Sequence, residues 1–113
     1  MRLLTADDYT HVFQHPQKSS SKALTVLARR SSRASARLGL AIPRKQIRRA
    51  VERNRVKRLI RESFRRHLEL LRGLDVVVIG RSALAMKNTQ EVFECLEGHW
   101  RQVSERCGNR GAC

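Results

Sequence analysis

The sequence predicts an α+β fold, a small single-domain α/β sandwich with a mixed sheet of about four strands. Three observations carry that prediction. The chain has 113 residues, enough for one modest core and too few for two. Asp75 to Ile79, DVVVI, is dominated by a β-branched run, as a strand covered on both faces requires. Arg44 to Arg66 and Thr89 to Ser104 instead repeat their apolar residues at helical spacing. In chain order the elements read α-β-β-β-α-β-α.

Each element has its own signal. Thr5-Ala6-Asp7-Asp8 has the form of a capping box, with Asp8 in place of the usual Glu. It opens a helix from about Ala6 to Gln14, which Pro16 ends. Residues 17–22 are polar and fit a loop or a short edge strand. Ala23 to Arg29 and Arg37 to Ile42 are clearer strands, read as an antiparallel hairpin around a long basic loop. Gly39 in the second strand permits close approach of a neighbour or ligand. Pro43 stops that strand. In the next segment Val56, Leu59, Ile60, Ser63, Phe64, His67 and Leu71 share one helical face, and Gly73 ends the segment. Strand, helix and strand from Arg37 to Arg81 form a βαβ unit, for which chirality predicts a right-handed crossover. Ser82 to Lys87 connects to a final helix that Asn88 and Glu91 cap. Its core stripe is Val92, Phe93, Leu96, Trp100 and Val103, with Trp100 as the anchor. Residues 105–113 read as a flexible tail beyond a domain spanning 1–104.

Charge bounds the function. Lys and Arg outnumber Asp and Glu 24 to 10, for a net charge of +14. Arg44 to Arg66 alone holds 11 basic residues against Glu52 and Glu62. Charge of one sign at that density repels itself and calls for a polyanion. Nineteen of the 24 cations are Arg, whose planar fork grips phosphate in two places. That points to structured nucleic acid rather than a membrane surface. Asn54, Arg58, Arg61 and Arg65 share a polar helix face, while Glu62 can pair with Arg58 and Arg66. Arg49 and Arg53 fall in line with the apolar stripe, so that end of the helix must project past the core or find an anion. No apolar run is long enough for a transmembrane helix, and the N-terminus lacks the core of a signal peptide. A cytoplasmic protein is expected, with Cys95, Cys107 and Cys113 reduced. A zinc site on Cys95, His99 and Cys107 lacks an evident fourth ligand.

No catalytic set is legible. His11, His15, His67 and His99 are scattered, and no phosphate-cradling loop, nucleophile motif or carboxylate pair occurs. Tyr9 and Phe13, four apart, share one face of the first helix. They are core residues or a stacking surface for unpaired bases, and spacing alone leaves both open.

The order of residues adds a resemblance. ERNRVKRLIRESFR, Glu52 to Arg65, resembles the signature of the protein component of bacterial ribonuclease P. RLGLAIPRK, DVVVIGR and RLLTADDYTHVF resemble the family's flanking blocks, so the likeness runs to about Val103. It implies a left-handed βαβ crossover. It implies an RNA-binding subunit of an endoribonuclease that removes the 5′ leader from precursor tRNA, with no catalytic residue on the protein. Catalysis would belong to the RNA and to Mg2+ held by RNA and substrate. The implied partners are ribonuclease P RNA, in a 1:1 complex, and precursor tRNA, with no membrane. Lys45, Arg49, Arg53, Asn54, Arg55, Lys57, Arg58, Arg61 and Arg65 would face the RNA, with Asn54 also holding the crossover in place. Tyr9, Phe13 and Leu27 would bind the leader. The alternative is a general basic ribosomal or RNA-binding protein with no catalytic complex. A helix-turn-helix DNA reader would need a second helix where DVVVIGR reads as a strand.

Overall fold

The computed structural model describes residues 2–3, 5–31 and 34–108. Its elements run β1 (Arg2–Leu3), α1 (Ala6–Gln14), β2 (Gln17–Ser20), β3 (Leu24–Arg30), β4 (Arg37–Ala41), α2 (Ala50–Arg66), β5 (Leu74–Gly80), α3 (Ser82–Ala85) and α4 (Thr89–Arg106). The α+β class and the order of the seven expected elements hold. The structure adds the two-residue β1 and the four-residue α3. Residues 109–113 of the expected tail lie outside the described residues. Glu105 and Arg106, assigned to that tail by sequence, continue α4. No helix among the described residues is long and apolar enough to cross a membrane.

Five strands form one mixed sheet in the order β1-β4-β5-β3-β2. The expected hairpin of the second and third long strands is not formed. β3 pairs antiparallel with β2 and with β5, and β4 pairs parallel with β5 and β1. The reason is burial. Val76, Val77 and Val78 are fully buried, so β5 belongs at the sheet's centre with helices on both faces. It therefore inserts between β3 and β4, although those two are closer in sequence.

The hand of the β4-α2-β5 crossover follows from the chirality of the residues. Arg81 N–H donates to Ala23 O, and Ser31 N–H to Gly73 O. The odd-numbered residues of β5 thus direct their backbone groups towards β3, while Val77 directs its side chain towards α1. For an L residue seen from its side-chain face, strand running upwards, those groups point right. Seen from the α2 face, β5 then lies to the left of β4. The crossover is left-handed, against the right-handed base rate.

The larger core lies between the sheet and the helices α2 and α4, with Val56, Ile60, Phe64, Leu96, Trp100 and Val103 on Leu38, Val76 and Val78. Trp100 meets Phe64 edge-on at 5.7 Å, and its indole N–H donates to Ser63 Oγ at 2.9 Å. The expected apolar stripe is present, although α2 ends at Arg66 and Leu71 reaches the core from the turns before Gly73. Both capping boxes, Thr5 with Asp8 and Asn88 with Glu91, form as expected. The buried His99 lies between two serines, Nδ1 on Ser19 Oγ at 2.6 Å and Nε2 on Ser21 Oγ at 3.1 Å. Burial lowers its pKa, so the neutral ring is the stable form. With both nitrogens engaged it is a structural residue. No group of three metal-ligating side chains occurs among the described residues, which removes the zinc alternative's support.

The smaller core holds α1 to the opposite face. Val12, Leu27 and Val77 are buried together, with Tyr9 and Ile79 against them. Three such side chains contribute roughly 1.5–3 kcal/mol each. A charged network adds direction. Arg37 lies opposite Asp75 in the parallel register and grips it in two places, Nε to Oδ1 at 2.8 Å and Nη2 to Oδ2 at 2.7 Å. The same guanidinium reaches Asp8 on α1 at 3.0 and 3.1 Å. Asp8 also accepts from Thr5 N–H and Oγ1–H. These bonds, Thr5 foremost, hold its pKa below the usual carboxylate range. Its contribution is therefore complete above the ordinary Asp value and lost as the pH falls through the folded one. Asp75→Asn removes the buried charge partner of Arg37 and leaves it only the more exposed Asp8, and is expected to cost up to about 3–5 kcal/mol in urea unfolding. Asp8→Asn, nearer solvent, should cost less, and its effect should vanish at acid pH.

Candidate nucleic-acid interface

α2 presents the densest positive surface because one face is committed to the core. Val56, Ile60, Ser63 and Phe64 are buried, which turns Asn54, Arg58, Arg61 and Arg65 outwards. All four are exposed, as the periodicity predicts. Arg58 and Arg61 have no hydrogen bond or ion pair with any described residue. Their full charge faces solvent. Arg65 differs. It pairs with Glu62, which also holds Arg66 at 3.3 Å, and Arg65 is the main cause of the lowered Glu62 pKa. The expected Glu62–Arg58 pair does not form. Glu62 neutralises the C-terminal end of the basic face and leaves its middle free.

The N-terminal end of the segment is not helical. Residues 44–46 form a turn after Pro43, and α2 begins only at Ala50, with Arg49 as an N-cap that makes no side-chain cap bond. Ile47 is buried and anchors this stretch. Lys45 and Arg49 are exposed upon it. Arg53, whose place in line with the apolar stripe demanded an anion, uses neutral acceptors instead. Its Nη1 donates to Ile47 O at 2.9 Å and Arg48 O at 2.7 Å. Arg55 donates to Lys87 O at 3.1 Å. Both guanidiniums are thus oriented by carbonyls that carry no formal charge, and both keep their positive charge. Lys57 is half-buried beside them. The expectation that Asn54 holds the crossover is not met. Its side chain makes no hydrogen bond among the described residues.

The three residues expected at the leader differ in access. Phe13 is 48% exposed, and it stacks on Tyr9 with centroids 6.4 Å apart. Tyr9 is half-buried and fixed in place. Its hydroxyl accepts from Leu40 N–H at 2.8 Å and donates to Leu40 O at 3.2 Å. Its ring lies over Gly39, where a Cβ would come within 2.6 Å of it. The close approach predicted at Gly39 is therefore to Tyr9. Leu27 is only 7% exposed, covered by Val12 of α1. It supports the aromatic helix from beneath and offers little surface of its own, because the sheet face it occupies is closed by α1. Lys18, paired with Leu27 across β2 and β3, shares that face and is exposed. Periodicity does not single it out. The network of Arg37, Asp75 and Asp8 is likewise absent from the sequence reading. Its one legible signal is an acid, Asp75, opening a run that has to be buried.

The interface thus has an unneutralised Arg face on one side of the sheet and a fixed aromatic pair on the other. Asp8 and Asp75 both serve Arg37, so neither is free to work as acid or base. Such a surface is suited to binding and positioning a polyanion.

The family model described as Ribonuclease P matches residues 1–104. The chain is 46% identical over 106 residues to the "Ribonuclease P protein component" of Methylococcus capsulatus, covering 94% of this chain and 83% of that one. It is 41% identical over 109 residues to the protein of the same description from Nitrosococcus oceani, covering 96% and 92%. Among solved structures it is similar to the RNase P protein from Thermotoga maritima, with TM-score 0.80, 30% identity, and 91% and 97% of the two chains covered. Tyr9→Phe should leave the Leu40 N–H and C=O without their partner and lower stability by about 1–3 kcal/mol, measured by thermal or denaturant unfolding.

Proposed function

This chain belongs to the ribonuclease P protein family, the RNA-binding subunit of an endoribonuclease that processes tRNA, and from that premise we propose how its two faces divide the work. Ribonuclease P RNA is its partner. The exposed Arg58 and Arg61, with Lys45, Arg49, Arg53, Asn54, Arg55, Lys57 and Arg65 around them, contact that RNA. Tyr9 and Phe13 hold the single-stranded 5′ leader of precursor tRNA, with Leu27 as the support beneath them. The observation that carries this division is the position of Phe13, half exposed on a helix pinned from below and from the side. A core residue would be covered; an incidental surface aromatic would not sit stacked on a ring fixed at both its hydroxyl and its face. Stacking tolerates many bases, which suits a leader of variable sequence.

The protein's residues do not fit a dedicated Mg2+ site. Of the three carboxylates that line one hollow, Asp7, Asp8 and Asp75, the last two are bound to Arg37, and no group of three ligating side chains placed to hold a metal occurs among the described residues. We therefore place Mg2+ with the RNA and substrate. The protein's share is electrostatic and positional, in a 1:1 complex acting in the cytoplasm. Its cations offset phosphate repulsion where RNA and substrate meet, and its aromatic helix fixes the leader. Membership of the family disfavours a general RNA-binding protein without a catalytic complex.

The direct test adds the purified chain to ribonuclease P RNA at low Mg2+ and follows precursor tRNA cleavage. Stimulation is expected. An RNA active at high Mg2+ but indifferent to the protein would overturn the reading. Arg58→Ala and Arg61→Ala should each weaken the complex and flatten its salt dependence by roughly 0.7–0.9 in log–log slope for each phosphate no longer neutralised. Unchanged slopes would remove them from the interface. Phe13→Ala should weaken precursor tRNA binding by about 1–3 kcal/mol and leave mature tRNA nearly unaffected. Equal losses for both would show a purely structural ring.

A further inference from the structure

A second cluster of cations lies away from α2. At the end of the sheet where β2 begins and β3 stops, a cavity of about 220 Å3 is lined by His15, Gln17, Ala28, Arg29, Arg30, Arg106 and Cys107. Three guanidiniums face it, and among the described residues no carboxylate lines it. Two are already oriented. Arg29 Nη1 donates to His11 O at 2.8 Å, and Arg30 Nε to Cys107 O at 2.7 Å. Both acceptors are neutral carbonyls, so each guanidinium keeps its charge and has donors to spare. Arg106 makes no hydrogen bond or ion pair with any described residue. Arg29 and Arg30 also border a neighbouring hollow with Asp7, Asp8 and Asp75, but the last two carboxylates are engaged by Arg37. Among the described residues that line it, Asp7 remains as a competing charge.

Three like charges held around one cavity repel one another. Pre-oriented forks without an acid suit an anion with several oxygens, and the cavity has room for a phosphate with a few waters. Its place selects the source. His15 caps the C-terminal end of α1 and follows Phe13 by two residues, so the cavity opens where the aromatic helix ends. α4 lies against β2 and β3, whereas α2 lies over β4, so the cavity sits at the opposite edge of the sheet from the Arg face of α2. Resting on the function proposed above, we propose that Arg29, Arg30 and Arg106, with His15, form a phosphate-binding pocket for the leader's backbone beyond the nucleotides held at Tyr9 and Phe13. The aromatic pair takes bases and the pocket takes charge, so a longer leader gains affinity without any demand on its sequence.

The test uses the full chain assembled with ribonuclease P RNA. Affinities are measured, across a range of salt, for precursor tRNA with a short leader, precursor tRNA with a long leader, and mature tRNA. The variants are the double Arg30→Ala/Arg106→Ala and the single Arg106→Glu. The second touches no partner among the described residues, and so keeps the test open if removing the Arg30–Cys107 tie unfolds the first. Long-leader affinity should fall about tenfold, with a salt slope lower by roughly 0.7 for each phosphate released from the pocket. Short-leader precursor and mature tRNA should bind as before. Equal losses on short and long leaders, weaker binding of the catalytic RNA alone, or no change in any arm would each overturn the pocket. Failure of the unmodified chain to stimulate the RNA would sink the parent reading instead, and that control is scored before any variant.

Discussion

The buried guanidinium of Arg37 joins three elements that nothing else joins in the same way. It lies on β4, grips Asp75 on β5 and reaches Asp8 on α1. A buried pair of this kind is no assurance of stability, since desolvation offsets much of the attraction. What it supplies is direction. A one-residue slip of β4 against β5 would turn Arg37 to the α2 face and bury its charge among apolar side chains. The parallel register of the central strands, the placement of α1 and the position of the aromatic pair all follow from satisfying this one charge.

The remaining arginines are handled differently. Arg53, Arg55, Arg29, Arg30 and Arg81 each donate to a backbone carbonyl, on residues 47 and 48, 87, 11, 107 and 21 respectively. A carbonyl fixes the direction of a guanidinium without cancelling it. Carboxylates instead hold Arg37, Arg72, Arg101 and, at the C-terminal turn of α2, Arg65 and Arg66. The protein therefore orders much of its positive charge while leaving it available, which lowers the conformational entropy lost when phosphate arrives.

Much of this is legible in the sequence, and the misses have physical causes. Periodicity finds the apolar stripe of α2 and the Arg face opposite it, because a helix's own spacing decides both. Capping residues find the starts of α1 and α4. Strand pairing is harder. β3 and β4 adjoin in sequence, and a hairpin is the natural reading, but the deciding fact is which strand must be buried on both faces. The run at Asp75 to Ile79 holds that information, though not as a pairing rule. Alternation places Leu27 on the correct face, yet whether α1 covers it depends on Val12 and on the Arg37 network, which join residues far apart in the chain. Arg53 shows the limit from the other side. Periodicity detects the conflict of a cation in the apolar stripe, but its solution, two carbonyls in the preceding turn, exists only in three dimensions.

The central position of β5 also has a consequence for the order of events. β5 is the last strand to leave the ribosome, and it is the one that links β4 on one side to β3 on the other. Until it emerges, the chain holds a small β2–β3 hairpin, a β4 joined only to the two-residue β1, and a complete Arg-rich segment with no sheet centre to dock on. The most highly charged part of the molecule is therefore synthesised before the partner strand that will shelter its apolar face. A nascent chain in that condition is an amphipathic, strongly basic segment beside ribosomal RNA. Closure through β5 ends that exposure, and the long-range pairings that closure needs set its pace.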